Sequence, residues 1–203
     1  TGTLHPAGRV IPLQRVDGLQ DVHAAKVAAG LRHTLVTASS RRPGDGTGAD
    51  GPVCRLFSFG ANSKGQTGQP MSSGRKIPTP AVIPHLQFAQ VPRIEAGGDC
   101  SASIDVEGCL HVWGRGSHQG RDSSTPTIVP APASGSPNAP RHVVWTQIAI
   151  GWRHWLGLDS GGGVWAWGSN QHGQCGVVGN DTGGSSPVIS KPTRVNSLEG
   201  ESV

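Results

Sequence analysis

One short phrase occurs three times at a fixed spacing, and few folds accommodate that. Ala29-Gly30-Leu31-Arg32-His33-Thr34, Ala96-Gly97-Gly98-Asp99-Cys100-Ser101 and Ile150-Gly151-Trp152-Arg153-His154-Trp155 are copies of one another. Each is followed by an aromatic-Gly pair: Phe59-Gly60, Trp113-Gly114 and Trp167-Gly168. The pairs stand 54 residues apart both times. Self-similarity at such a period predicts stacked or radial modules. A residue that recurs once per module then reads first as scaffold.

The modules read as β-structure. The chain carries 31 Gly and 16 Pro, and no long segment places apolar residues at helical spacing, which predicts almost no helix. Turn residues fall at short intervals between small apolar runs, as in sandwiches, barrels and propellers. The third copy shows the plan: strand Trp155–Asp159, turn Ser160–Gly163, strand Val164–Trp167, a glycine-punctuated loop Gly168–Gly176, and a short strand Lys191–Val195 whose Pro192 suits an edge. Leu56-Phe57-Ser58-Phe59 and Val164-Trp165-Ala166-Trp167 are apolar on both faces. That pattern predicts sheets covered on both sides.

The other copies depart from the plan. The second has a degenerate loop, Gly114–Gly120, then a Pro/Ala/Ser stretch, Pro126–Pro140, that reads as an irregular connector. The first is stretched: Gly30 to Gly60 spans 30 residues, against 17 in each of the other copies. The extra residues fall at the hairpin turn, around Arg41 and Arg42, and read as an exposed excursion.

Chemistry-bearing motifs are scarce. The net charge of +4 is carried mostly by scattered arginines, which reads as a solvated surface or a docking patch for an acidic partner or a phosphate backbone. Cys54, Cys100, Cys109 and Cys175 lack metal-type spacing, so reduced thiols in a cytoplasmic or nuclear protein are expected. Gly60–Thr67 imitates a phosphate loop, but Gln66 stands where the lysine is needed, and the phrase recurs at Gly168–Cys175; it reads as a module loop. His33 and His154 share one repeat position and read as imidazoles bridging backbone groups between strands. No catalytic constellation, metal cluster or cofactor motif is found.

The pattern G-x-x-H-[T/S], a hairpin, W-G-x-N-x-x-G-Q-x-G and then P-x-x-V resembles the repeat of the regulator of chromosome condensation 1 family. Gly30, His33, Thr34, Gly60, Asn62, Gly65, Gln66 and Gly68 match it, as do Gly151, His154, Trp167, Gly168, Asn170, Gly173, Gln174 and Gly176. The middle copy keeps Gly97, Ser101, Trp113 and Gly114, and has Cys100 in place of the histidine. The resemblance implies an all-β, partial β-propeller: about three four-stranded blades of the seven usual in that family. By this reading residues 1–20 are the outer strand of a preceding blade, and 21–86 are a repeat with an insertion at 39–52. Residues 87–144 are a degenerate repeat, and 145–203 a repeat and the start of the next. An open arc would leave two blade faces bare, so the remaining blades are expected in a longer parent chain.

The resemblance also bears on function. It implies a regulatory, non-catalytic propeller that binds a protein and takes no cofactor. Guanine nucleotide exchange on a small GTPase is the activity best known in the family, and the wording of the loops is most similar to its secretion-regulating exchange-factor branch. A chromatin or ubiquitin-pathway adaptor is the alternative. Gly-Trp-Arg-His is also similar to a phrase of the plant ultraviolet-B photoreceptor, but of Leu31, Gly98 and Trp152 only one is Trp, which disfavours light sensing. The candidate partner-binding residues are Arg41, Arg42, Lys64, Trp152 and Arg153, placed on loops of one rim, with Arg153 stacked on Trp152 or Trp155 as a cation–π pair.

Overall fold

A computed structural model of the chain describes residues 14–39, 54–118, 120–130, 143–177 and 187–196. Twelve strands form three four-stranded sheets, each antiparallel and each in simple sequence order. The first sheet is β1 (His23–Ala29), β2 (His33–Ser39), β3 (Cys54–Ala61) and β4 (Lys76–Phe88). The second is β5 (Arg93–Gly97), β6 (Cys100–Ile104), β7 (Leu110–His118) and β8 (Arg121–Ile128). The third is β9 (Trp145–Ile150), β10 (His154–Asp159), β11 (Val164–Ser169) and β12 (Val188–Arg194). The described residues hold one complete 3-10 turn, Met71–Ser73.

The sheets meet chiefly along their first strands, β1 against β5 and β5 against β9. Sheets gathered by their first strands and splayed at their last are the blades of a propeller arc. The second strands show why the sequence reads apolar on both faces. Every residue of β6 is buried, and Leu35 and Val36, on opposite faces of β2, are both buried.

Apolar clusters fill the spaces between blades. Leu35, Leu56, Ile83 and Phe88 of the first blade pack with Ala96 and Trp113 of the second. Ala102, Ile104 and Val112 of the second pack with Trp145, Trp155 and Trp167 of the third. On the far side of the first blade, Val36, Ala38, Phe57 and Phe59 are buried with Leu19 and Val22 packed against them. That face is therefore covered, where a bare one was expected. Leu19 belongs to the segment read as an outer strand; its described part, residues 14–20, forms turns and no strand.

Two further expectations are corrected in the second blade. Gly114–Gly120 is not a loop: β7 continues to His118 and turns directly into β8, with His118 opposite Arg121. Positive φ at Gly116 and Gly120 lets the chain reverse there. Consequently β8 runs through Pro126, inside the stretch read as connector. A proline is compatible with that position because β8 is an edge strand whose outward N–H groups have no ladder partner.

Candidate functional site

The hairpin order places alternate connections at opposite ends of the blades. His33 pairs with Gly60, so the β1–β2 turn and the β3–β4 loop lie at one end. Ser39 pairs with Cys54, so the segment between them departs from the other end. The turns at 98–99 and 151–153 occupy the first end too. The three turns abut one another. Leu31 N donates to Gly98 O at 3.0 Å. Gly98 has φ +54°, and a Cβ there would stand 2.7 Å from Trp152 O. A Cβ on Gly97 would overlap Ile150 O. Gly97 and Gly98 are points at which the second and third blades touch backbone to backbone, whereas Gly30 and Gly151 leave room for the rings of His33 and His154 in their own blades.

The tips of these turns carry the exposed groups. Trp152 is 62% exposed and Leu31 52%, whereas Trp113, Trp145, Trp155 and Trp167 are buried. Arg32 and Arg153 stand beside them at equivalent positions, both exposed. Asp99 holds the equivalent position in the second blade. Its charge is opposite, and it turns inward. Arg32 reaches it at 3.0 Å, Arg115 at 2.6 Å, and Gln66 Nε2 donates to it at 3.0 Å. Burial alone would raise the Asp99 pKa; hydrogen bonds from Arg115 and Arg32, and their charges, outweigh it and hold the carboxyl below its usual value. The same contact keeps the Arg115 guanidinium above its ordinary range.

Beneath the rim, His33 Nε2 donates to Ser101 Oγ at 2.7 Å, and Ser101 Oγ donates to Gln66 O at 2.8 Å. Trp113 Nε1 donates to the same carbonyl at 3.1 Å. These bonds fix the His33 proton on Nε2, since the serine proton is already spent on Gln66. Nδ1 is buried with no hydrogen-bond partner. Burial, the largest influence, lowers the imidazole pKa to about 4 against an ordinary 6.5, and the Asp99 charge offsets this only in part. The histidine thus bridges two blades through a side chain, where the repeat suggested a bridge to backbone groups between strands. The β3–β4 loop carrying Gln66 is a blade loop, braced by Asn62, whose Nδ2 donates to Gln69 O and Gly74 O.

The sequence-derived candidates fare unevenly. Trp152 and Arg153 are adjacent and exposed on the rim. Among the described residues Arg153 makes no cation–π contact; Trp155 instead stacks on Trp167 at 5.9 Å with the rings 6° apart. Lys64 lies at the same end but is paired with Asp122 at 2.9 Å. Arg41 and Arg42 lie outside the described residues, and the strand ends that flank them are at the opposite end from Trp152. Leu31, Arg32 and Arg115 join the rim without having stood out in the motifs. Leu31 and Arg32 were legible as the counterparts of Trp152 and Arg153; Arg115 has no sequence signal.

The four cysteines are free thiols, and burial pushes Cys100 up to about 12. Among the described residues no three His, Cys, Asp or Glu side chains converge to hold a metal ion. A groove of about 510 Å³ opens between β4 and β8, walled by Pro84, Leu86, His111, Pro126 and Ile128, with one titratable group.

Two sequence patterns, both describing the Regulator of chromosome condensation (RCC1) repeat, match residues 145–174 and 161–203. The human E3 ubiquitin-protein ligase HERC2 is 32% identical over 150 residues, 73% of this chain and 3% of that protein. The mouse secretion-regulating guanine nucleotide exchange factor is 28% identical over 181 residues, 86% of this chain and 36% of that protein. The chain thus spans only a minor part of these relatives. Among solved structures, human WBSCR16 is similar with a TM-score of 0.56 and 22% identity, covering 92% of this chain and 55% of that one. Yeast RCC1 (Prp20), solved bound to Kap60, has a TM-score of 0.55 and 18% identity, covering 89% and 50%. These two likenesses are of fold, and the fold is a part of a propeller.

Proposed function

We propose that this chain, which belongs to the regulator of chromosome condensation (RCC1) repeat family, is a regulatory module that works by binding another protein on the rim around Trp152. The observation that carries the reading is the exposure of Trp152 and Leu31, flanked by Arg32 and Arg153, on one end of a scaffold whose other described indoles are mostly buried. An indole and guanidinium groups presented together are what binding hot spots are made of. His33, Gly97 and Gly98 are occupied in joining blades.

The finer reading is guanine nucleotide exchange on a small GTPase, supported by the likeness to the secretion-regulating exchange factor. The propeller would bind the nucleotide-free GTPase more tightly than the loaded form and so lower nucleotide affinity by linkage. No group on the propeller needs to react. A second reading, an adaptor in the ubiquitin pathway without exchange activity, is favoured by the likeness to HERC2. Release of labelled GDP from a panel of small GTPases separates the two. Acceleration with one GTPase, lost in Trp152→Ala, supports exchange. No acceleration with any GTPase, while Trp152→Ala still abolishes capture of a purified ubiquitin-pathway partner, supports the adaptor. Partner binding that survives Trp152→Ala removes the rim from both.

A further inference from the structure

The two ends of the blades differ in charge. At the Trp152 end the described residues include Arg32, Lys64, Arg75, Arg115, Arg121 and Arg153. The carboxylates there are Asp99 and Asp122, and each is already engaged, Asp99 by Arg32 and Arg115 and Asp122 by Lys64. Arg75, Arg121 and Arg153 are exposed. The turns at the other end carry Asp105, Glu107 and Asp159, with Arg55, Arg93 and Arg194 nearby. The alternation of hairpin ends thus brings five arginines to one end. Among the described residues the excess positive charge lies at the end that carries the one exposed indole.

We infer that the Trp152 rim docks onto an acidic protein surface, with Trp152 and Leu31 as the apolar contact and Arg153, Arg32 and Arg115 as a cationic collar. The inference rests on the rim being a protein-binding surface and names the chemistry of the partner. Complementary charge around an apolar centre steers encounter and selects the partner, while the desolvated aromatic supplies affinity. Asp99 contributes by fixing Arg32 and Arg115 in place, which lowers the cost of ordering them on binding. A phosphate backbone suits this rim less well. It is met by a stripe of cations along its track, whereas this rim has Leu31 and Trp152 at its centre and the carboxylates of Asp99 and Asp122 among its cations.

Trp152 is itself the reporter, because its exposure makes it the indole most open to acrylamide quenching. Poly-glutamate and duplex DNA are titrated separately into the whole chain at low salt. The expected result is that poly-glutamate shields Trp152 from acrylamide, that the effect fades as salt rises, and that Arg153→Glu weakens it roughly tenfold. Arg55→Glu, an exposed charge reversal at the opposite end, leaves it unchanged. Absence of shielding, an equal loss in Arg55→Glu, or tighter binding of DNA than of poly-glutamate overturns the inference. Its failure is distinct from failure of the docking reading: a protein partner lost in Trp152→Ala but retained in Arg153→Glu keeps the rim and rejects the acidic partner.

Discussion

Between the first and second blades a lattice of hydrogen bonds backs the apolar packing; between the second and third, indoles of the third blade pack against Ala102, Ile104 and Val112 of the second. In the first junction the loop of one blade reaches over the next, and Gln66, His33 and Arg32 find Asp99, Ser101 and Trp113. In the second junction that loop has contracted to the tight turn before Arg121, and the histidine has become Cys100. The facing position, which is Ser101 in the second blade, is Trp155 in the third, and it stacks on Trp167, which in turn lies 5.9 Å from Trp145. Arg93 adds a hydrogen bond to Thr146 O across the same junction. The difference teaches that the repeat is a pairwise contract. Once the polar group on one blade is lost, an aromatic on the next replaces the facing hydroxyl and fills the space.

The largest expected effect breaks the apolar junction. Trp155→Ala removes a buried indole and its stacked partner contact, and should cost about 4 kcal/mol of unfolding free energy in urea titration. A loss much below that would mean that the polar junction carries the arc. Acid should break the other junction selectively. His33 titrates near 4 when folded and 6.5 when unfolded, so the unfolded chain binds the proton first. The stability it contributes is complete above pH 6.5 and is lost as pH falls through 4, about 3 kcal/mol in all. Asp99, with its lowered pKa, acts in the same direction at still lower pH. Hydrogen exchange should show the first blade loosening from the second while the Trp-lined junction, whose cluster of described residues includes no histidine, stays protected. His33→Gln should flatten the stability curve across this window.

Smaller changes sharpen the contrast. Gln66→Ala deletes the amide donor to Asp99 and should cost about 1.5 kcal/mol in the same urea assay. Lys64→Ala breaks only the half-exposed pair with Asp122 and should cost less than about 0.5 kcal/mol. If Lys64→Ala proves as costly as Gln66→Ala, the buried network is not what locks the junction.

Much of the architecture was legible along the chain. The 54-residue period, the strands around each aromatic-Gly pair, and the both-faced apolar runs all reappear as blades, because hairpins and turn glycines are local and repeat with the sequence. The outer strand of the second blade was hidden, since Arg121–Ile128 is polar with a proline and reads as loop until its pairing with β7 is seen. Trp152 and Arg153 were legible as the odd members of a repeated phrase. The charge on the rim was not, because it depends on which end of a hairpin each arginine occupies.

Repetition in the chain was enough to dictate wedges of four strands and their glycine turns, because each depends on neighbours a few residues away. The pairing of Arg32 and Gln66 with Asp99 arose on folding. Those contacts join groups 67 and 33 positions apart. At such separations it is the packing of blade on blade, and not spacing along the backbone, that brings side chains together.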